Sequence, residues 1–317
     1  MTSIYNFTSE SLSIEFYGII CIGSLGLLTN GLNLIVGLRK KVRTTRMGFY
    51  VLFVSIFNIM VTAVNILDFV PQSIGHQEFA LTSTYACVCI QYFSRVFIQL
   101  SQWLNVMISF DRLSLLKYRA RQEQTTLNTQ RLLLIVLALV AVICGVNSAN
   151  LFYQVEYTIK NENNNTVSIE AQCSTSFAFD WTRDIVHILS RSVLPVIFQT
   201  ILNGKVIFKL IKMINEATNG MSMIKEKRFA MLIVFYTFFI ILTETIYASC
   251  ITFLNLYGDA NDNYIQTTSN EAAIAALVSL CSNIFGVFII CDVNFFLNVF
   301  TNKKFRNETK KLFHFQI

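Results

Sequence analysis

Seven long apolar segments dominate this chain, at residues 15–38, 47–71, 85–116, 131–153, 184–212, 228–255 and 271–300. At 1.5 Å per residue each can cross the roughly 30 Å hydrocarbon layer of a bilayer as a helix. The rest of the composition agrees: 54% of the 317 residues are hydrophobic and only 14% are charged, whereas a soluble domain carries about 25% charged residues. A water-soluble enzyme is therefore excluded. The expected architecture is all-α, a seven-transmembrane helix bundle over residues 15–300, with a short segment before it at 1–14 and a tail after it at 301–317. No linker, repeat or low-complexity tract marks a second domain. Cys21, Cys144, Cys250, Cys281 and Cys291 lie inside apolar runs, where they act as small hydrophobes and not as a disulfide framework.

Orientation follows from the basic residues. Apart from Arg95, Lys160, Arg183 and Arg191, every Lys and Arg falls after the first, third, fifth or seventh segment. That side is cytoplasmic by the positive-inside rule, so the N-terminus is expected outside and the tail inside. The same clustering assigns the net charge of +6 to membrane topology and excludes nucleic acid as a partner. Acids such as Glu10, Glu78, Glu156, Asp180 and Asp259 collect on the opposite side, as do the glycosylation sequons at Asn6 and Asn164. The first fifteen residues have no basic start followed by a cleavable apolar core, so the first segment itself is expected to direct insertion. In the tail, Phe305, Thr309, Leu312 and Phe313 recur at helical spacing among Lys303, Lys304, Arg306, Lys310 and Lys311. An amphipathic surface helix follows, with no Cys after it to carry a palmitoyl anchor.

Asp111-Arg112-Leu113 stands at the inner end of the third segment. An Arg at that depth is costly unless a carboxylate or another helix satisfies it; the plain alternative is a flanking Arg that snorkels to the headgroups. Asn30 in the first segment, Asn58 in the second, Pro195 in the fifth, and Asn294-Phe295-Phe296-Leu297-Asn298 followed by Phe305-Arg306 complete a series. In order and spacing it resembles the rhodopsin-like family of G-protein-coupled receptors, over about residues 24 to 313. The resemblance implies an extracellular peptide or small-molecule ligand and a heterotrimeric G protein as partners. It gives Asp111, Arg112, Glu226 and Asn294 roles in coupling and activation, and Asn30, Asn58 and Asp292 places in a polar core. It also implies a bridge from Cys173, in the long loop at 154–183, to Cys87 at the outer end of the third segment, with Cys89 competing for the role. The chain departs from the pattern as well: Tyr is lost after Arg112, the fourth segment has no Trp, the sixth has neither Trp nor Pro, and Phe295 and Asn298 replace the seventh-helix Pro and Tyr.

Charged and titratable groups in the outer halves of the segments mark the ligand region: Asp68, Glu244 and Asp292 against Arg95, His187 and Arg191. His187 and Arg191 are four apart on one helical face. Two readings stand side by side. Asp68 with Arg95, and Glu244 with Arg191, form internal ion pairs, or these residues contact ligand. Ser94 stands where related receptors bind amines through an Asp, which argues against a biogenic amine, and the seventh segment has no Lys for a retinal Schiff base. A peptide or a small, anionic chemosensory molecule remains. The alternative class is a small-ion or proton transporter or channel lined by the same charges, against which stands the lack of repeats or paired broken helices. No cofactor or metal is expected, and with His76, His187 and His314 scattered, no enzyme.

Overall fold

The computed structural model describes residues 20, 21, 23–73, 79–117, 129–162, 166–174 and 177–216, scattered helical positions between 234 and 249, residues 295, 296, 298 and 299, and residues 303–314. Asn6, Asn164, Glu226, Asp292 and Asn294, and most of the sixth and seventh apolar segments, lie outside the described residues. In chain order come α1 (Gly23–Leu38), the single turn α2 (Lys40–Arg43), α3 (Arg46–Ser73), α4 (Thr84–Lys117) and α5 (Thr129–Val146). A hairpin of β1 (Gln154–Glu162) and β2 (Thr166–Ser174) follows, then α6 (Phe177–Ile188), α7 (Leu194–Glu216) and the tail helix α8 (Lys303–His314).

Among the described residues two stretches are long and apolar enough to cross a bilayer by composition alone, Gly48–Asp68 and Thr182–Lys212. The more polar α4 is buried nearly all round over residues 96–109, with Tyr85, Phe93 and Phe110 exposed beyond that stretch. Leu100, Leu104, Val106 and Ile108 are buried on it, and so are Gln99, Ser101, Gln102, Asn105 and Ser109. A helix that carries amides and hydroxyls in a bilayer is stable where neighbouring helices supply partners, so α4 occupies the middle of the bundle, against α3, α5 and α7. The main apolar cluster joins Val36 of α1, Tyr50 and Val54 of α3, Leu104 and Ile108 of α4, Val136 of α5 and Phe305 of α8. Ile35, Leu134, Phe198 and Phe208 face outward, as lipid-facing side chains do.

Turn chemistry sets the α1–α3 junction. Thr45 caps α3 by accepting the Gly48 backbone N–H at 3.0 Å, and it donates to the Val42 carbonyl at 2.7 Å. A Cβ on Gly48 would lie 2.1 Å from that same carbonyl oxygen, so only glycine fits there. In α8, Phe305 and Thr309 are buried and Leu312 is partly buried, the face its spacing predicts; Phe305 meets Phe295 edge-on with centroids 6.2 Å apart.

The long loop between α5 and α6 folds as a β-hairpin. Nine residues of β1 pair antiparallel with nine of β2, Gln154 opposite Ser174 through Glu162 opposite Thr166. Val155, Tyr157 and Ile159 alternate with Glu156, Thr158 and Lys160, a period of two that suits a strand. The fifth segment also begins earlier than its apolar run, with α6 starting at Phe177.

Candidate functional site

At the hairpin end of the bundle, a disulfide joins Cys87 of α4 to Cys173 of β2, while Cys89 is a free, exposed thiol. The bridge holds the hairpin over the end of α4. Three polar clusters follow down one face of that helix, begun by Arg95, Gln99 and Gln102 at i, i+4 and i+7.

The first cluster is ionic and aromatic. Arg95 donates to the Tyr153 hydroxyl at 2.9 Å and lies 3.5 Å from the Asp184 carboxylate of α6. Arg183 reaches the same carboxylate at 2.9 Å and stacks over the Tyr153 ring at 4.7 Å. Arg95 lies 5.7 Å from the same ring centroid, so two guanidiniums share one carboxylate and one aromatic ring. The second cluster is neutral. Gln99 donates to His187 Nδ1 at 2.9 Å and accepts from Asn147 Nδ2 at 2.8 Å. Asn150 donates to the Asn147 side-chain oxygen at 3.2 Å. All four residues are buried, as a network of this kind requires. In the third, Gln102 donates to Glu244 at 2.7 Å and the Ser192 hydroxyl donates to the other carboxylate oxygen, which ties α4, the helical positions near 244 and the α6–α7 junction together.

That junction is a π-helical turn, Leu189–Val193. Pro195 has no N–H to give and its ring clashes with the carbonyl four residues back; a wider turn steps over it. Leu194 N–H bonds the Leu189 carbonyl five residues back. The Ser190 carbonyl would in that pattern need an N–H from Pro195, and receives instead the Trp103 indole N–H of α4 at 3.0 Å. Both Arg191 and Ser192 in this turn are buried.

The expected ion pairs are not the ones formed. Arg95 pairs with Asp184, 89 positions along the chain, instead of Asp68, and Asp68 accepts the Ala80 backbone N–H at 3.4 Å, steadying the short helical turn Phe79–Thr82. Glu244 is held by Gln102 and Ser192 in place of the expected Arg191. Ser94 is partly buried on α4. Sequence reasoning centred on charges and passed over Gln99, Gln102, Asn147, Asn150, Tyr153, Asp184 and Ser192; the available signal was neutral amides inside otherwise apolar runs.

Between the end of α5 and α6 lies a cavity of about 160 Å³, lined by Val146, Asn147, Asn150, Arg183, Val186 and His187 among others. Asn150 Oδ1, buried there, has no hydrogen-bond partner among the described residues. No group of three or more His, Cys, Asp or Glu that could hold a metal ion occurs among the described residues either.

Deeper in the bundle, Asn58 donates to Asn30 at 3.1 Å and accepts from Ser101, joining α3 to α1 and α4. At the far end Asp111 is buried and lies 4.0 Å from Arg46 of α3; Arg112 is partly buried beside it. A groove of about 470 Å³ between α2 and α8 is lined by Lys41, Lys310 and Lys311 with Glu308.

A family model described as serpentine type 7TM GPCR chemoreceptor Srw matches residues 15–316. A comparison with curated proteins gives no match.

Proposed function

Because the chain belongs to the Srw family of serpentine seven-transmembrane chemoreceptors, a multi-pass plasma-membrane protein of receptor type, we propose that it binds an extracellular peptide or small molecule and activates a heterotrimeric G protein. Its N-terminus faces outward, Asn6 and Asn164 are glycan acceptors, and the bundle at 15–300 lies between an outer segment at 1–14 and an inner tail at 301–317.

The observation that carries this reading is the row of buried polar clusters along one face of α4, from Arg95 through Gln99 to Gln102 and Glu244. Through Glu244 these bonds tie α4 to the Pro195 turn, so a ligand that exchanges partners with Arg95, His187, Arg191 or Glu244, beside Ser94, favours one helix arrangement over another. The shift in population equals the ligand's difference in affinity for the two arrangements. Asp68, which accepts the Ala80 backbone N–H of the Phe79–Thr82 turn, stands at the rim of the same ligand region. At the inner face, movement of Arg112 relative to Asp111 and Glu226 opens the cavity for the G protein, while Asn30, Asn58 and Asp292 with Asn294 form the polar middle that the arrangement pivots on. Basic residues at this end, Lys41, Lys310 and Lys311 among them, meet the partner and anionic lipid. The family match gives the transporter alternative no support.

Arg112→Ala tests the switch. The variant reaches the cell surface at parental levels and loses ligand-stimulated nucleotide exchange on a co-expressed G protein. Undiminished exchange removes Arg112 from the mechanism.

A further inference from the structure

The groove between α2 and α8 gathers three ammonium groups from opposite ends of the chain: Lys41 from α2, Lys310 and Lys311 from α8. We propose that it holds the headgroup of an inositol lipid that carries a phosphomonoester, taken from the cytoplasmic leaflet. The proposal rests on the receptor reading for that leaflet and on the groove alone for its chemistry.

The groove is built on the core. Val42 of α2 and Phe305 of α8 are both buried in the main apolar cluster, so the two elements are held side by side over a packed floor. The turn that carries Lys41 is fixed by its own bonds: the Thr44 hydroxyl donates to the Lys40 carbonyl at 3.0 Å and Thr45 to the Val42 carbonyl at 2.7 Å. On the other wall Glu308 is buried and accepts from Lys311 Nζ at 3.1 Å. That bond holds the ammonium at the groove and leaves it two further donors. Lys41 and Lys310 are exposed and form no ion pair among the described residues.

Charge selects the ligand. Three ammonium groups against the Glu308 carboxylate leave the lining two positive charges in excess. A phosphomonoester carries a charge of about −1.5 to −2 at pH 7 and matches that excess; a phosphodiester, with its single charge, does not. Phosphatidylserine would also bring an ammonium of its own against the lysines. Size excludes a bare phosphate as the whole occupant, because about 470 Å³ falls within the roughly 300–1,000 Å³ of sites that enclose a small organic molecule. Thr44 and Asn307 line the same space with a hydroxyl and an amide, groups that suit the hydroxyls of an inositol ring. The helix itself points to the source. Phe305 and Thr309 turn inward on α8 while Lys310 and Lys311 stay exposed, the arrangement of a helix lying on a membrane surface. Arg39, Lys40 and Arg43 are exposed on or beside α2 and add to the attraction of anionic lipid to this end.

The test counts lipid bound to the full-length protein in detergent micelles by native mass spectrometry, with phosphatidylinositol 4-phosphate, phosphatidylinositol and phosphatidylserine of one acyl composition offered in equal amounts. Phosphatidylinositol 4-phosphate is expected to bind about tenfold better than phosphatidylinositol, which lacks the monoester. Lys41→Gln with Lys310→Gln lowers its binding at least about tenfold. Lys40→Gln with Arg43→Gln removes the same charge from the same turn outside the groove and changes binding less than about twofold. All four side chains are exposed, so both double variants keep the parent's unfolding midpoint. Free inositol 1,4-bisphosphate, which lacks the acyl anchor, competes only at concentrations at least about tenfold higher than the lipid's. Equal binding of the lipids, or an equal loss in the two double variants, overturns the site and leaves a diffuse basic surface. Competition by the free headgroup at the lipid's own concentration overturns the lipid as occupant in favour of a soluble inositol phosphate. Selective lipid binding alongside undiminished nucleotide exchange in Arg112→Ala supports the site and overturns the switch. Exchange lost in Arg112→Ala, with no lipid selectivity in the parent, overturns the site and leaves the receptor reading standing.

Discussion

Trp103 and Pro195 lie far apart in the chain, on α4 and α7, yet they act on one atom. Pro195 leaves the Ser190 carbonyl without a main-chain donor, and the Trp103 indole supplies one at 3.0 Å. Trp103→Phe keeps an aromatic ring against Phe198, whose centroid lies 5.9 Å away, and deletes the donor. Interhelical hydrogen bonds in membrane proteins average about 0.6 kcal/mol and reach about 1.7 kcal/mol; a carbonyl with no alternative donor in hydrocarbon belongs toward the upper end, so about 1 kcal/mol is expected for the bond itself. The single substitution also loses apolar area, which would obscure that value. Pro195→Ala removes the difficulty, because the new backbone N–H gives Ser190 a donor and makes the indole dispensable. A double-mutant cycle over Trp103→Phe and Pro195→Ala, read by unfolding in mixed micelles titrated with sodium dodecyl sulfate, therefore shows a coupling of about 1 kcal/mol, with Trp103→Phe costing less once proline has been replaced. Additivity within about 0.3 kcal/mol, the ordinary scatter for independent sites, refutes the assignment of the indole to the carbonyl that proline orphans.

Gln99→Leu conserves bulk but strips His187 and Asn147 of their bonds to residue 99; the same titration registers a loss of about 1–2 kcal/mol, from two good bonds at about 0.6 kcal/mol each plus the cost of polar atoms left buried, and a loss under about 0.3 kcal/mol counts against the network. Replacing Cys87 and Cys173 together by Ser opens a loop of 86 residues' separation, for which chain entropy sets an upper limit of about 4.6 kcal/mol. Spans that stay helical in the unfolded state reduce this, so a lowered unfolding midpoint under non-reducing conditions is the expected reading, and an unchanged midpoint contradicts a structural role for the bridge.

The spans were legible because hydrocarbon imposes its own length and polarity. The second apolar segment, read at 47–71, is the helix Arg46–Ser73, and the third, read at 85–116, is Thr84–Lys117. The boundary slipped where charge is sheltered: Arg183 falls in the loop read at 154–183, yet it pairs with Asp184 on α6 and stacks on Tyr153, and the helix runs back to Phe177. The hairpin was hidden for another reason. Its strands alternate with period two, but a search for long apolar runs registers such a stretch simply as polar. Which charges meet was beyond reach, since Arg95 finds Asp184 through the packing of α4 against α6 and no local pattern encodes a pairing over that separation. Asn30 and Asn58, which the resemblance places in a polar core, bond each other, two amides in the middles of adjacent apolar segments with few other partners.

The burial of α4 has a mechanical consequence. At 34 residues and 1.5 Å each it is a rod of about 51 Å, bolted to the hairpin at Cys87 and bearing Asp111 near its opposite tip. Held along its middle by close-packed neighbours, such a rod tilts only if several contacts give way together. Twisting about its own axis by a small angle, or sliding along it, disturbs far less. Any message crossing this molecule along α4 then travels as torsion or stroke, and the surrounding helices supply the swing.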